Sequence, residues 1–420
     1  MNSSSELVEH FFRHEYGRLV ALLTRDLGVR NLELAEDVVQ SAMSRALVTW
    51  PRSGTPSDPT AWLFRTAKNL AIDSLRRQKL ADEYSEAACS RSDDCSREPL
   101  RLLELDSEIG DETLRLFFLC CHPVIAIESQ VALALKTVSG FGIHEIASGL
   151  QTSLATVEKR LSRAKEKLRE HQLEFSDLSP TAIVERLPAV LSTIYLIFNE
   201  GYAASSGENA IRLDLCWEAI RLAKMVAAHP LCGSPEAHAF TALLLLHVAR
   251  MYGRIDTNGL VVLLAEQDRA RWDGGLIREA MAYAERAAQG TELSRFHLEA
   301  AIAWEHCRAV DFSQTDWSRI ANLYEMLRQR FATPMIRLNA AVARSYVDGP
   351  LVGTKLLLEL DDVDRKRIRP WWDCCMAQMY ERLEQPEKAL SHWTDASALA
   401  ASEPQRIFIH RQMERLNRLK

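Results

Sequence analysis

Three clusters in this chain hold residue types that could do chemistry, and spacing decides each. His144-Glu145 could open a zinc-binding helix, which needs a second histidine four residues after the first. Position 148 is serine, so that ligand is missing. Cys120-Cys121-His122 offers soft donors but lacks the paired spacing that closes a tetrahedral site, and reads as buried helix-end residues. No glycine-rich phosphate loop and no serine elbow occurs. Gln267–Asp273, Q-D-R-A-R-W-D, gathers polar groups around Trp272 and reads as a capped, solvated helix junction. The sequence therefore predicts no catalytic residue, no metal site and no cofactor, so the chain is not expected to be an enzyme.

Two cationic stretches point instead to nucleic acid. The first is Asp58–Lys79, where Asp58 followed by Pro59 is a helix start. Advancing about 100° per residue puts Leu63, Phe64, Ala67, Leu70 and Ala71 on one apolar stripe. Arg65, Lys68, Arg76 and Lys79 fall nearly opposite. Trp62, Asn69 and Asp73 lie on the edge between, with Arg77 nearer the core side. An ordinary amphipathic helix would interleave these cations with glutamates. Here a tryptophan and an asparagine flank them, as a surface for single-stranded nucleic acid requires.

The second stretch lies within residues 140–169. Ile143, Ile146, Ala147 and Leu150 make a short helix, Gln151–Ser153 a turn, and Val157, Leu161, Ala164 and Leu168 the buried side of a helix from Ala155. That is a helix-turn-helix pattern, although a glutamine stands at the turn site often filled by glycine. Thr156, Lys159 and Arg163 project to the centre of the exposed face, with Arg160 and Lys167 on its shoulders. Six cations against Glu166 in Lys159–Arg169 favour duplex DNA over a plain bundle helix.

The elements that must carry these surfaces are helical. Leu7, Phe11 and Phe12, then Leu19, Leu22 and Leu23, recur at helical spacing, and a second helix covers Leu32–Trp50. Glu36, Asp37 and Gln40 form a small acidic-amide patch on it that reads as surface. Trp50–Pro59 is a loop, and residues 81–108 a flexible charged linker. Asp82–Glu112 alone carries a net charge of −8, against −6 for the whole chain. DNA contact must therefore come from patches. From Pro180 onward the chain is helical, with breaks near Gly207, Pro230, Gly253, Gly290, Pro334 and Pro370. Ala343, Tyr346, Gly353 and Leu356 match Ala377, Tyr380, Glu387 and Leu390 at the 34-residue period of tetratricopeptide helix pairs. With 420 residues, 47% hydrophobic, an all-α protein of two to three domains is expected. No run of eighteen apolar residues predicts a membrane span, and nine irregularly spaced cysteines suit a reducing, cytoplasmic setting.

Together A-E-D-V-V-Q at 35–40, P-T-A-W-L-F-R-T-A-K-N-L-A-I-D-S-L-R-R at 59–77 and the helix-turn-helix at 140–169 resemble regions two and four of sigma-70-family initiation factors. The nearest group is the extracytoplasmic-function (ECF) factors. F-L-C-C-H-P at 118–123, Y-L-I-F-N-E-G-Y at 195–202, E-Q-D-R-A-R-W-D at 266–273 and the repeat-like tail resemble a subgroup with a C-terminal TPR-like extension. The resemblance implies region 2 at 6–80, the linker at 81–108, region 4 at 109–172 and the tail at 180–420. It implies core RNA polymerase and promoter DNA as partners, and no membrane; a protein or ligand partner of the tail stays open. Glu36, Asp37 and Gln40 would face polymerase. Trp62, Arg65, Lys68, Asn69, Asp73, Arg76 and Arg77 would engage the minus-ten element. Thr156, Lys159, Arg160 and Arg163 would read the minus-thirty-five element. In that subgroup the extension would influence activity in place of a separate anti-sigma partner. The alternative is a conventional helix-turn-helix regulator with a helical sensor or interaction domain, which leaves Asp58–Lys79 without a role.

Overall fold

The computed structural model describes residues 4–85, 105–150, 152–202, 211–256, 260–400 and 402–418. They form twenty α-helices and no β-sheet, with one isolated bridge between Ile255 and Val261. The chain divides into two compact units, 1–193 and 194–420.

The first unit opens with α1 (Ser4–Leu27), α2 (Leu32–Ser53) and α3 (Pro59–Ser85). It continues with α4 (Leu105–Cys120), α5 (Ile127–Thr137), α6 (Ile143–Gly149) and α7 (Leu154–Glu170). Leu19, Leu23, Ala35, Val39, Leu63 and Ala67 are fully buried where α1, α2 and α3 meet. Phe117, Leu133, Ile146, Val157 and Leu161 do the same for the later helices. The two sets share one unit, because α1 packs along α4. Gly17 on α1 lies so close to α5 that a Cβ built there would stand 1.9 Å from the Val138 carbonyl oxygen.

Several expected boundaries shift. The helix expected to stop at Trp50 runs on to Ser53 with Pro51 inside it, and ends at Gly54, whose φ of 85° few other residues tolerate. The loop expected at Trp50–Pro59 is thus reduced to 54–58. Both ends of the expected linker are helical, since α3 reaches Ser85 and α4 begins at Leu105; 86–104 lie outside the described residues. So do Gln151 and the side chains of Leu7, Phe11, Phe12 and Lys79. The tail expected from 180 begins with α8 (Pro180–Tyr202), whose first turns belong to the first unit. There the Thr193 hydroxyl donates to Gln130 Oε1 at 3.2 Å. By length and composition α8 is the one helix among the described residues that could cross a membrane, yet Ile183, Leu187, Val190, Leu191, Ile194, Ile197 and Phe198 on it are buried in protein.

The second unit is built on α10 (Pro235–Ala249), apolar on all sides, with Phe240, Leu243, Leu244 and Leu245 at zero exposure. Around it pack α9 (Leu213–Ala228), α12 (Gly274–Ala287) and α13 (Arg295–Arg308), with the short α11 (Met251–Arg254) at its end. Helix pairs follow: α14 (Trp317–Arg330) on α15 (Pro334–Val347), then α15 on α16 (Pro350–Leu358). After α17 (Asp362–Arg367), α18 (Trp371–Arg382) packs on α19 (Pro386–Ala398), and α20 (Glu403–Arg418) covers α19. The 34-residue register relates α15 and α16 to α18 and α19, with α17 standing between the pairs.

Q-D-R-A-R-W-D is the capped junction expected, with Asp268, Ala270 and Arg271 exposed and Trp272 alone buried. Asp273 accepts from the amides of Gly275 and Leu276, and Arg269 donates to the His306 and Ala309 carbonyls that end α13. Trp272 is buried against Gly253, where no Cβ would fit. Burial, reinforced by the Arg250 and Arg269 guanidiniums, pulls the nearby His306 imidazole down to about 3. A histidine neutral in the fold and titrating near 6.5 when unfolded supplies stability above about pH 6.5. That stability is lost as pH falls toward the folded value, at no more than about 1.4 kcal/mol per pH unit. Thermal melting of the full chain should therefore fall between about pH 7 and about pH 5, and His306→Gln should flatten that slope. An unchanged slope in the variant would remove His306 from the account.

Candidate nucleic-acid interface

Helix α3 starts as its sequence dictates: Asp58 Oδ1 accepts the Ala61 amide at 2.9 Å. Leu63, Ala67 and Ala71 are buried, and Phe64 and Leu70 half-buried. Arg65, Asn69, Asp73, Arg76 and Arg77 are exposed along the other side. Arg77 does not turn toward the core as its helical angle suggests; its Nε donates to the Asp73 carbonyl. Lys68 is half-buried over the Phe64 ring, its Nζ 3.1 Å from Asp26 on α1, so part of its charge is already neutralised. Trp62 stands edge-on to Trp50, ring centroids 5.6 Å apart. Trp50 near the end of α2 thus fixes the aromatic beside the cations.

On α7 the structure adds one residue to the expected start and supplies its cap. Ser153 Oγ accepts the Thr156 amide at 3.1 Å and lies 2.8 Å from the Thr156 hydroxyl. Thr156 is therefore engaged in the cap and half-buried, not at the centre of an open face. Lys159 and Arg163 are exposed and Arg160 is half-buried. At the start of α6 Glu145 accepts the Gly142 amide at 2.6 Å, so the glutamate of the His-Glu pair serves a helix cap. Burial pushes the Cys121 thiol up to about 12, the behaviour of an inert core cysteine.

The acidic-amide patch of α2 is divided. Asp37 and Gln40 are exposed, but Glu36, expected on the surface, is only 4% exposed. The Thr137 hydroxyl on α5 donates to its Oε1 at 2.8 Å, and Lys165 Nζ on α7 is 2.8 Å from its Oε2. Glu33, one turn earlier, lies 3.8 Å from Lys165 and 3.9 Å from Arg169. A further ion pair joins Arg25 of α1 to Glu112 of α4 at 3.6 Å. Lys165 and Thr137 escaped the sequence reading. Their signal was available: Lys165 follows Leu161 by four residues and precedes Leu168 by three, so it sits on the rim of the buried stripe.

Removing one partner of a buried pair leaves an uncompensated charge. Lys165→Met should destabilise the first unit by roughly 3–5 kcal/mol in urea denaturation. Pairing it with Glu36→Gln should recover most of that loss, since the remaining groups are neutral. Equal losses in both variants would show that the ion pair is not what matters there.

The chain's comparisons accord with this arrangement. A family model for sigma-70 region 2 matches residues 11–81, and a family of unknown function (DUF6596) matches 186–288. The ECF RNA polymerase sigma factor SigW of Bacillus subtilis (strain 168) is 27% identical over 164 residues, 36% of this chain and 81% of that protein. The ferric citrate uptake sigma factor FecI of Escherichia coli (strain K12) is 27% identical over 173 residues, covering 41% and 95%. No solved structure matches. A sigma-70 region 2 domain and relatives of this kind support an RNA polymerase sigma factor of the ECF type. At the level of the whole chain, it belongs to one family with the uncharacterized protein R00370 of Rhizobium meliloti (strain 1021), 37% identical over 388 residues, 92% of this chain and 91% of that one.

Proposed function

We propose that the protein associates with core RNA polymerase, directs it to promoter DNA, and rests in a docked form that polymerase must open. The observation that carries this reading is the pair of exposed cationic helix faces on α3 and α7, one flanked by an aromatic and one in a helix-turn-helix. The α3 face, with Trp62, Arg65, Lys68, Asn69, Asp73, Arg76 and Arg77, suits an opened minus-ten strand. A base stacked on an aromatic there contributes about 1–3 kcal/mol. On α7, Lys159, Arg160 and Arg163 suit the duplex major groove at the minus-thirty-five element, where a bidentate arginine discriminates by about 1–3 kcal/mol. Thr156 orders the start of that helix.

Glu36, Asp37 and Gln40 are the proposed polymerase contacts, but only the last two are open to a partner. Engaging Glu36 requires Lys165 and Thr137 to let go, which separates α2 from α5 and α7. Polymerase binding and release of the DNA-reading helix are thus one event in this reading. The second unit, with its helix pairs, is proposed to modulate that output through a partner of its own.

Run-off transcription with purified core enzyme tests the reading. A specific start site that depends on this protein is expected, whereas no new start site with core alone would favour a conventional regulator. Arg163→Ala should lower promoter use by about 10- to 100-fold while polymerase still binds. Asp37→Ala with Gln40→Ala should do the opposite, weakening capture by core enzyme in a pull-down. If Arg163→Ala instead abolished polymerase capture, the division of labour would be wrong.

A further inference from the structure

The second unit holds a cluster that helix capping does not explain. Asp373 lies in the first turn of α18, and His392 and Asp395 sit three residues apart on one side of α19, which packs against it. One donor atom from each of the three lies within 4.8 Å of the others. Asp373 is 1% exposed. Its Oδ2 accepts from Arg369 Nε, but its Oδ1 has no hydrogen-bond partner, and neither has His392 Nδ1. The two atoms face each other across 3.5 Å, the distance of a loose ion pair when the imidazole is protonated.

That separation is informative. An N–H···O hydrogen bond closes to about 2.7–3.2 Å. Two ligands at about 2.0–2.2 Å from one tetrahedral metal ion lie about 3.3–3.6 Å apart. We propose that Asp373, His392 and Asp395 bind a divalent metal ion of the zinc class, bridging α18 and α19. One imidazole and two carboxylates suit zinc or cobalt. Three protein donors are too few for calcium, and the nitrogen disfavours magnesium. A fourth position remains for water or an external ligand.

The surroundings hold the donors in place. His392 is stacked on Tyr380 at an interplanar angle of 9° and meets Trp372 edge-on, which fixes its ring plane. Arg369 occupies the second oxygen of Asp373, the outer hydrogen bond that ligating carboxylates commonly have. Its positive charge opposes the metal, and the second carboxylate, Asp395, offsets it. Asp395 is exposed, so the site has an entry path and its substitution leaves the core intact.

The test is a cobalt titration of the full-length chain near neutral pH, read by visible d–d absorption, with zinc competition by calorimetry. One equivalent is expected, lost in His392→Gln and weakened at least about tenfold in Asp395→Asn. Because Cys374 and Cys375 are neighbours, Cys374→Ser with Cys375→Ser should keep the equivalent, with no sulfur-to-cobalt charge-transfer band in the wild type. Should His392→Gln fail to fold, the exposed Asp395→Asn decides. No cobalt or zinc bound, or the same affinity in Asp395→Asn as in the wild type, would overturn the site.

Discussion

A carboxylate out of water has to be answered, and in the first unit that carboxylate is Glu36. An isolated buried charge is far too costly to keep, so both its oxygens are used, one by a hydroxyl and one by an ammonium. Neither partner is local: Thr137 lies 101 residues away in sequence and Lys165 is on α7, the second helix of the helix-turn-helix. The helices α2 and α3, with the first cationic face, and α5 and α7, with the second, are thereby tied together. A salt bridge of this kind adds little net stability compared with a well-packed apolar contact. What it adds is selectivity, since it tolerates one arrangement of α2, α5 and α7 and penalises every other.

Much of this molecule was legible before any coordinates. The all-helical class, the Asp58 cap, the core stripe of α3 and the buried side of α7 all follow from helical periodicity and local capping chemistry, which depend on near neighbours in sequence. What escaped depends on distant residues. Glu36 reads as surface because acids on amphipathic helices nearly always are. Only its position, four residues after Leu32 and three before Val39, hints that it borders a core. Thr156, by contrast, is half-buried with its hydroxyl against the Ser153 cap, a local contact that projecting a helical face does not show. The end of α2 moved because the chain stays helical through Pro51 until Gly54 takes the left-handed turn that stops it.

The second unit shows the same economy with a different result. Its polar side chains are mostly spent on helix ends, as with Asp268, Asp273 and Arg269, so the conspicuous Q-D-R-A-R-W-D motif is architecture. The atoms left over are the more informative ones. At Asp373 and His392 two of them face each other at 3.5 Å, longer than a closed hydrogen bond. Sequence reading found no metal-ligand spacing because the donors come from two helices and their separation follows no motif.

Gly17 gives the docked unit a property that none of its charges supplies. A glycine within a helix lowers that helix's own stability by roughly 0.5–1 kcal/mol relative to alanine, so it is a poor choice for α1 alone. It is needed only because the Val138 carbonyl occupies the space where a methyl group would be. The contact of α1 with the end of α5 therefore depends on the absence of a side chain at position 17. Replacing Gly17 by alanine would favour the isolated helix while wedging α1 from the end of α5, so this close approach depends on a residue that carries no charge and lies on neither cationic face.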